Sequence, residues 1–71
     1  MKPSFYYVVP FENTDFYRGK LILWGVPFML EQDEVGNTMF LLPELHVPVY
    51  SQVRSLFGRD FDGTITGFRT R

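Results

Sequence analysis

His46 is the single histidine of this 71-residue chain, and Glu44 stands two residues before it. If residues 44–46 are extended, the two side chains share a face and form a weak pair of metal ligands. A metal site needs more ligands than that, and a chain without cysteine has no thiolate to add. We therefore read His46 as a surface or structural histidine and expect no metal and no cofactor. Ser4, Ser51 and Ser55 have only this one candidate base among them, and no nucleophile-elbow sequence surrounds any of them. Gly58 and Gly63 are expected at a helix end and a turn, not at the strand-to-helix junction of a phosphate-cradling loop.

The string Asp60-Phe61-Asp62-Gly63-Thr64 resembles the first motif of haloacid-dehalogenase-type phosphatases. The resemblance implies Asp60 as phosphoryl-accepting nucleophile and Asp62 as general acid/base, both helping to hold magnesium. In that family the motif follows a buried strand of a parallel sheet, and later strands add a Lys and further carboxylates. Here Leu56-Phe57-Gly58-Arg59 precedes it, which reads as a helix end, and residues 65–71 hold no Lys, Asp or Glu. Motifs need their structural context. We read Asp62-Gly63 as a two-residue turn and expect no phosphatase activity and no enzyme.

The elements that would position any site come from hydrophobic period. Ser4 to Val9 alternates as a strand, and Pro10 ends its pairing. Glu12 to Gly19 is polar and reads as a loop or irregular strand, pinned by Phe16 and Tyr17. Lys20 to Trp24 reads as a short central strand. Residues 26–42 predict a hairpin whose loop, Asp33 to Asn37, offers Gly36 or Asn37 for positive φ. From Pro48 to Phe57 the period turns helical, with Val49, Val53, Leu56 and Phe57 on one stripe and Gly58 just past the end. Arg59–Phe61 and Thr64–Thr66 are expected to pair across Asp62-Gly63. The expected fold class is α+β: a small antiparallel sheet of three to five strands with one helix at about 48–57. A small barrel plugged by the helix is the alternative.

Composition sets the scale. We read residues 1–71 as one small globular domain, near the lower size at which a single core supports folding. Eight Phe, four Tyr and one Trp suit such a core and leave apolar surface over for an interface. The net charge of −1 argues against a general phosphate-backbone binder. Its distribution is uneven. Glu31, Asp33, Glu34 and Glu44 lie in a stretch without Lys or Arg, while Arg54, Arg59, Arg69 and Arg71 crowd the last part of the chain. No apolar run fits a signal peptide, and Leu21 to Leu30 is roughly half a membrane span, so no membrane is expected and the cytoplasm is the default location.

By elimination these features point to a non-enzymatic protein-interaction module. Its size fits the inhibitors and adaptors that phages and other mobile elements encode. The expected partner is a protein carrying a basic patch, met by Glu31, Asp33 and Glu34 at the hairpin tip, where crowded carboxylates do nothing evident for folding. Tyr50 and Arg54, one helical turn apart on a flank, are the second expected contact. The runner-up is a small nucleic-acid-binding module that stacks bases on Phe5, Tyr6, Tyr7 and Phe28 beside the C-terminal arginines. A third reading is a structural subunit, a homo-oligomer built through an exposed strand edge.

Overall fold

Alternation governs the first strand of the computed structural model, which describes residues 2–65. Phe5–Val9 (β1) turns Phe5, Tyr7 and Val9 into the core and leaves Tyr6 and Val8 half-buried on the other face. Its partner Thr38–Leu42 (β3) runs antiparallel in the register Tyr7↔Phe40. Met29–Gln32 (β2) pairs with β3 as the expected hairpin, and Gly36 takes the positive φ at its tip. The two-residue strand Gly63–Thr64 (β4) pairs with β1, giving the order β2-β3-β1-β4, antiparallel throughout. The sheet is open, not a barrel. The fold is α+β, as the sequence predicts.

Two helices lie over one face of this sheet. Val47–Phe57 (α2) matches the expected helix, with Pro48 in its first turn and Gly58 in the left-handed conformation just beyond. Val53 and Phe57 are its buried residues, as the apolar stripe requires. The other helix, Thr14–Leu23 (α1), follows a short 3₁₀ turn at Phe11–Asn13 and corrects the sequence reading of a loop followed by a central strand. Thr14, Tyr17 and Leu21 recur at i, i+3 and i+7, so one stripe faces the core. Leu21 is fully buried, Tyr17 packs on the core, and the Thr14 hydroxyl meets that of Thr38 at 2.5 Å. The β-prone run Leu21-Ile22-Leu23 is helical because Leu21 alone faces inward, while Ile22 and Leu23 stay exposed.

One cluster joins both helices to the sheet: Phe5, Tyr7, Val9, Phe40 and Leu42 from the strands, Leu21, Val53 and Phe57 from the helices. At its centre Phe57 lies between two parallel rings, Tyr7 at 4.1 Å and Tyr17 at 4.6 Å between centroids. Offset and edge-to-face contacts among such rings add to their burial.

The expected hairpin across Asp62-Gly63 does not form. Residues 63–64 pair with β1 instead, and Thr66 lies outside the described residues. Gly63 is needed there for close approach, since a Cβ at that position would stand 2.6 Å from the Tyr6 ring. Among the described residues no helix is long and apolar enough to cross a membrane.

Candidate interaction surface

The groups that could do chemistry are tied down by local structure. Asp60 pairs with Arg54 at 3.2 Å. Asp62 accepts the backbone N–H of Val8 at 2.6 Å and a hydrogen bond from Arg59 at 3.1 Å. The two carboxylates thus serve different neighbours rather than one shared centre. His46 is exposed in extended backbone before α2, and no group of three or more His, Asp or Glu able to hold a metal occurs among the described residues. Tyr7 carries the one buried side-chain polar atom without a hydrogen-bond partner among the described residues. Burial pushes its hydroxyl from 10.0 to about 12, with Tyr50 and Asp60 adding to the rise and Arg54 and Arg59 opposing it.

The residues expected at an interface fall into two separate places. Tyr50 is half-buried edge-to-face against Phe5 at 5.5 Å, and Arg54 is engaged with Asp60, so both belong to the β1–β4 side of the molecule. Glu31, Asp33 and Glu34 sit on the β2–β3 hairpin at the other end of the strand order. Within that trio Asp33 has a structural task. Its Oδ1 accepts the N–H groups of Val35 at 3.0 Å and Asn37 at 2.8 Å, closing the turn in the manner of an Asx turn. The expectation that these carboxylates do nothing for folding is corrected for Asp33. Glu31 and Glu34 are exposed and form no ion pair among the described residues.

The base-stacking platform is not assembled. Strand alternation puts Phe5 and Tyr7 under the helices, opposite to Tyr6, and Phe28 packs on Phe40 at 5.8 Å. Arg69 and Arg71 lie outside the described residues.

What the sequence reading missed is the surface of α1 and the turn before it. Phe11 (62% exposed), Phe16 (58%), Ile22 (58%) and Leu23 (76%) are four large apolar side chains in thirteen residues of chain. Phe11 also reaches β2, where it lines a groove of about 330 Å³ with Thr14, Leu30, Glu31, Gln32 and Thr38. Charge order could have found this helix: Glu12 and Asp15 come before Arg18 and Lys20, and Gly25 follows. No protein-family model, no curated protein and no solved structure matches the chain.

Proposed function

We propose that this chain is a cytoplasmic, non-enzymatic protein-interaction module of the inhibitor or adaptor kind, working through the surface formed by Phe11–Leu23 and the acidic β2–β3 hairpin. The observation that carries this reading is the exposure of Phe11, Phe16, Ile22 and Leu23. Single exposed apolar residues are ordinary, but four large ones on one short helix and the turn before it, set among polar residues, are the kind of surface on which another protein seats. Phe16 packs edge-on against Tyr17 and under Lys20, and Phe11 lines the β2 groove, yet more than half of each side chain stays in water, and that remaining apolar surface is what a partner would cover. Glu31 borders the groove under Phe11, and its carboxylate, with that of Glu34 on the same hairpin, favours a basic partner and disfavours a phosphate backbone.

The experiment is capture on the immobilised chain from the cell that makes it, after nuclease treatment, with Phe16→Ser and Leu23→Ser combined as the comparison. Both side chains are exposed, so the double variant keeps the fold. A protein held by wild type and lost by the variant supports the reading. Equal capture by both, or capture that disappears on nuclease treatment alone, overturns it.

A further inference from the structure

The two edges of the sheet end differently. On the β1 side, past the short β4, the backbone of Val8 is already occupied. Its N–H donates to Oδ2 of Asp62 at 2.6 Å, its carbonyl accepts from Nη2 of Arg59, and the two side chains join each other at 3.1 Å. An incoming strand meets no unpaired groups at that residue. On the β2 side nothing comparable occurs among the described residues, and Met29–Gln32 are exposed along their whole length.

The phase of the ladder says which groups point outward. At the hairpin tip the N–H of Asp33 donates to the carbonyl of Asn37 at 3.0 Å. Hydrogen-bonded and non-bonded pairs alternate along an antiparallel ladder. Stepping back from Asp33/Asn37 through the register, Glu31↔Met39 and Met29↔Leu41 fall in the bonded phase, and Leu30↔Phe40 and Gln32↔Thr38 in the other. Leu30 and Gln32 therefore direct their N–H and C=O groups away from β3, out of the sheet. The same two residues share the face of their buried partners Phe40 and Thr38, and with Glu31 between them they line the groove beneath Phe11. Backbone donors, backbone acceptors and a side-chain groove are thus presented together.

Alternation also sets what would fit. In a strand added at this edge, residues on the helix side would lie beside Leu30 and Gln32, against Phe11, and those on the other side beside Met29 and Glu31. The first set meets an apolar groove. The second meets a carboxylate in a stretch of chain, residues 21–53, that contains neither Lys nor Arg.

We propose that the β2 edge takes an extended segment of another protein as an additional antiparallel or parallel strand, its apolar residues in the groove and its basic residues beside Glu31. The proposal rests on the interaction-module reading and names the chemistry of the partner segment. Main-chain hydrogen bonds would supply affinity and the alternating side chains specificity, as in other strand additions.

The test uses the full chain labelled for amide NMR, titrated with a short capped peptide alternating Val and Arg, and in parallel with its Val and Glu counterpart. The Val/Arg peptide should shift the amides of Leu30 and Gln32 saturably, slow their hydrogen exchange, and bind about tenfold more weakly in high salt. The Val/Glu peptide should not bind. Gln32→Pro removes one outward N–H at a position where an edge strand tolerates proline, and should abolish binding. Glu31→Lys leaves the backbone intact and should weaken binding about tenfold, so the proposal stays testable if Gln32→Pro does not fold. Shifts confined to α1 or to the open sheet face, or unchanged affinity in both variants, would overturn it. So would protection of Leu30 and Gln32 without peptide in a species of twice the chain mass, which gives the edge to a second copy. If the peptide fails while partner capture still depends on Phe16 and Leu23, the strand-addition proposal falls and the module reading stands.

Discussion

The ring of Phe57 lies 3° from parallel to that of Tyr7 with centroids 4.1 Å apart, and Tyr17 also stacks on it. This sandwich ties the last turn of α2 to the central strand and to the other helix at once. Phe57→Ala would leave a ring-sized gap between two rings whose other aromatic contacts, Phe5 on Tyr7 and Phe16 and Phe40 on Tyr17, are edge-to-face and do not fill it. We expect it to cost about 3–5 kcal/mol, most of the stability of so small a domain. Ser51→Ala, on the exposed side of α2, should leave the melting temperature nearly unchanged. Thermal unfolding of the two variants side by side checks this, and equal melting temperatures would refute the role of the stack.

The Tyr7 hydroxyl gives a prediction of opposite sign. It is buried and makes no hydrogen bond, and an unpaired buried hydroxyl is destabilising. Tyr7→Phe keeps the stacked ring and should raise stability by about 1 kcal/mol. The substitution also removes a pH dependence. Because burial raises the hydroxyl to about 12, the folded chain holds its proton where an unfolded one has begun to release it, from 10.0 upward. Stability is unaffected by this group below about pH 10 and falls as pH rises from there through 12. Denaturant titrations across that window should show a steeper loss for wild type than for Tyr7→Phe.

These two residues also show what was legible before the structure. Phe57 could be placed because α2 has a continuous apolar stripe between Pro48 and Gly58, so period and punctuation agree. Tyr7 could be placed in β1, but with both faces of that strand aromatic, nothing in the sequence said which rings were core. The helix α1 was obscured by Gly19, by the β-branched Ile22 and by the unbroken apolar run Leu21-Ile22-Leu23, which shows no helical period of its own and is fixed as helix by packing Leu21 and Tyr17 onto the sheet. The acidic hairpin was found, yet the groove beside it was not, because Phe11 lies eighteen or more residues away in sequence from β2 and meets it only through the fold.

Asp62 carries the next prediction. The two carboxylates of the phosphatase-like string are a strand cap and a helix-end ion pair, so Asp60→Asn and wild type should show the same absence of turnover on a generic phosphate ester with magnesium. Turnover lost in the variant would contradict this. Asp62→Ala should instead destabilise by about 0.5–1.5 kcal/mol, since it removes the exposed hydrogen bond from the Val8 N–H and leaves that donor to water. It also uncovers part of the β1 edge, so the variant should self-associate at concentrations where wild type does not, as read by light scattering.

The last prediction separates the three carboxylates of the hairpin. Asp33 holds two backbone N–H groups at the tip, and neither Glu31 nor Glu34 makes a hydrogen bond or ion pair among the described residues. Asp33→Ala should therefore cost about 1–2 kcal/mol and loosen the turn, seen as faster amide exchange at Val35 and Asn37. Asp33→Asn, which keeps an acceptor oxygen, should recover most of that loss. Glu31→Lys with Glu34→Lys should change stability by no more than about 0.5 kcal/mol, since both side chains are exposed. The charge reversal nevertheless changes the field at the β2 edge, so its effect should appear in partner binding and in the salt dependence of the association rate. A reversal of all three residues together would mix a broken turn with a changed charge. The double variant that spares Asp33 is the one that reads the surface alone, and partner affinity equal to wild type in that variant would show that the acidic hairpin is not part of the contact.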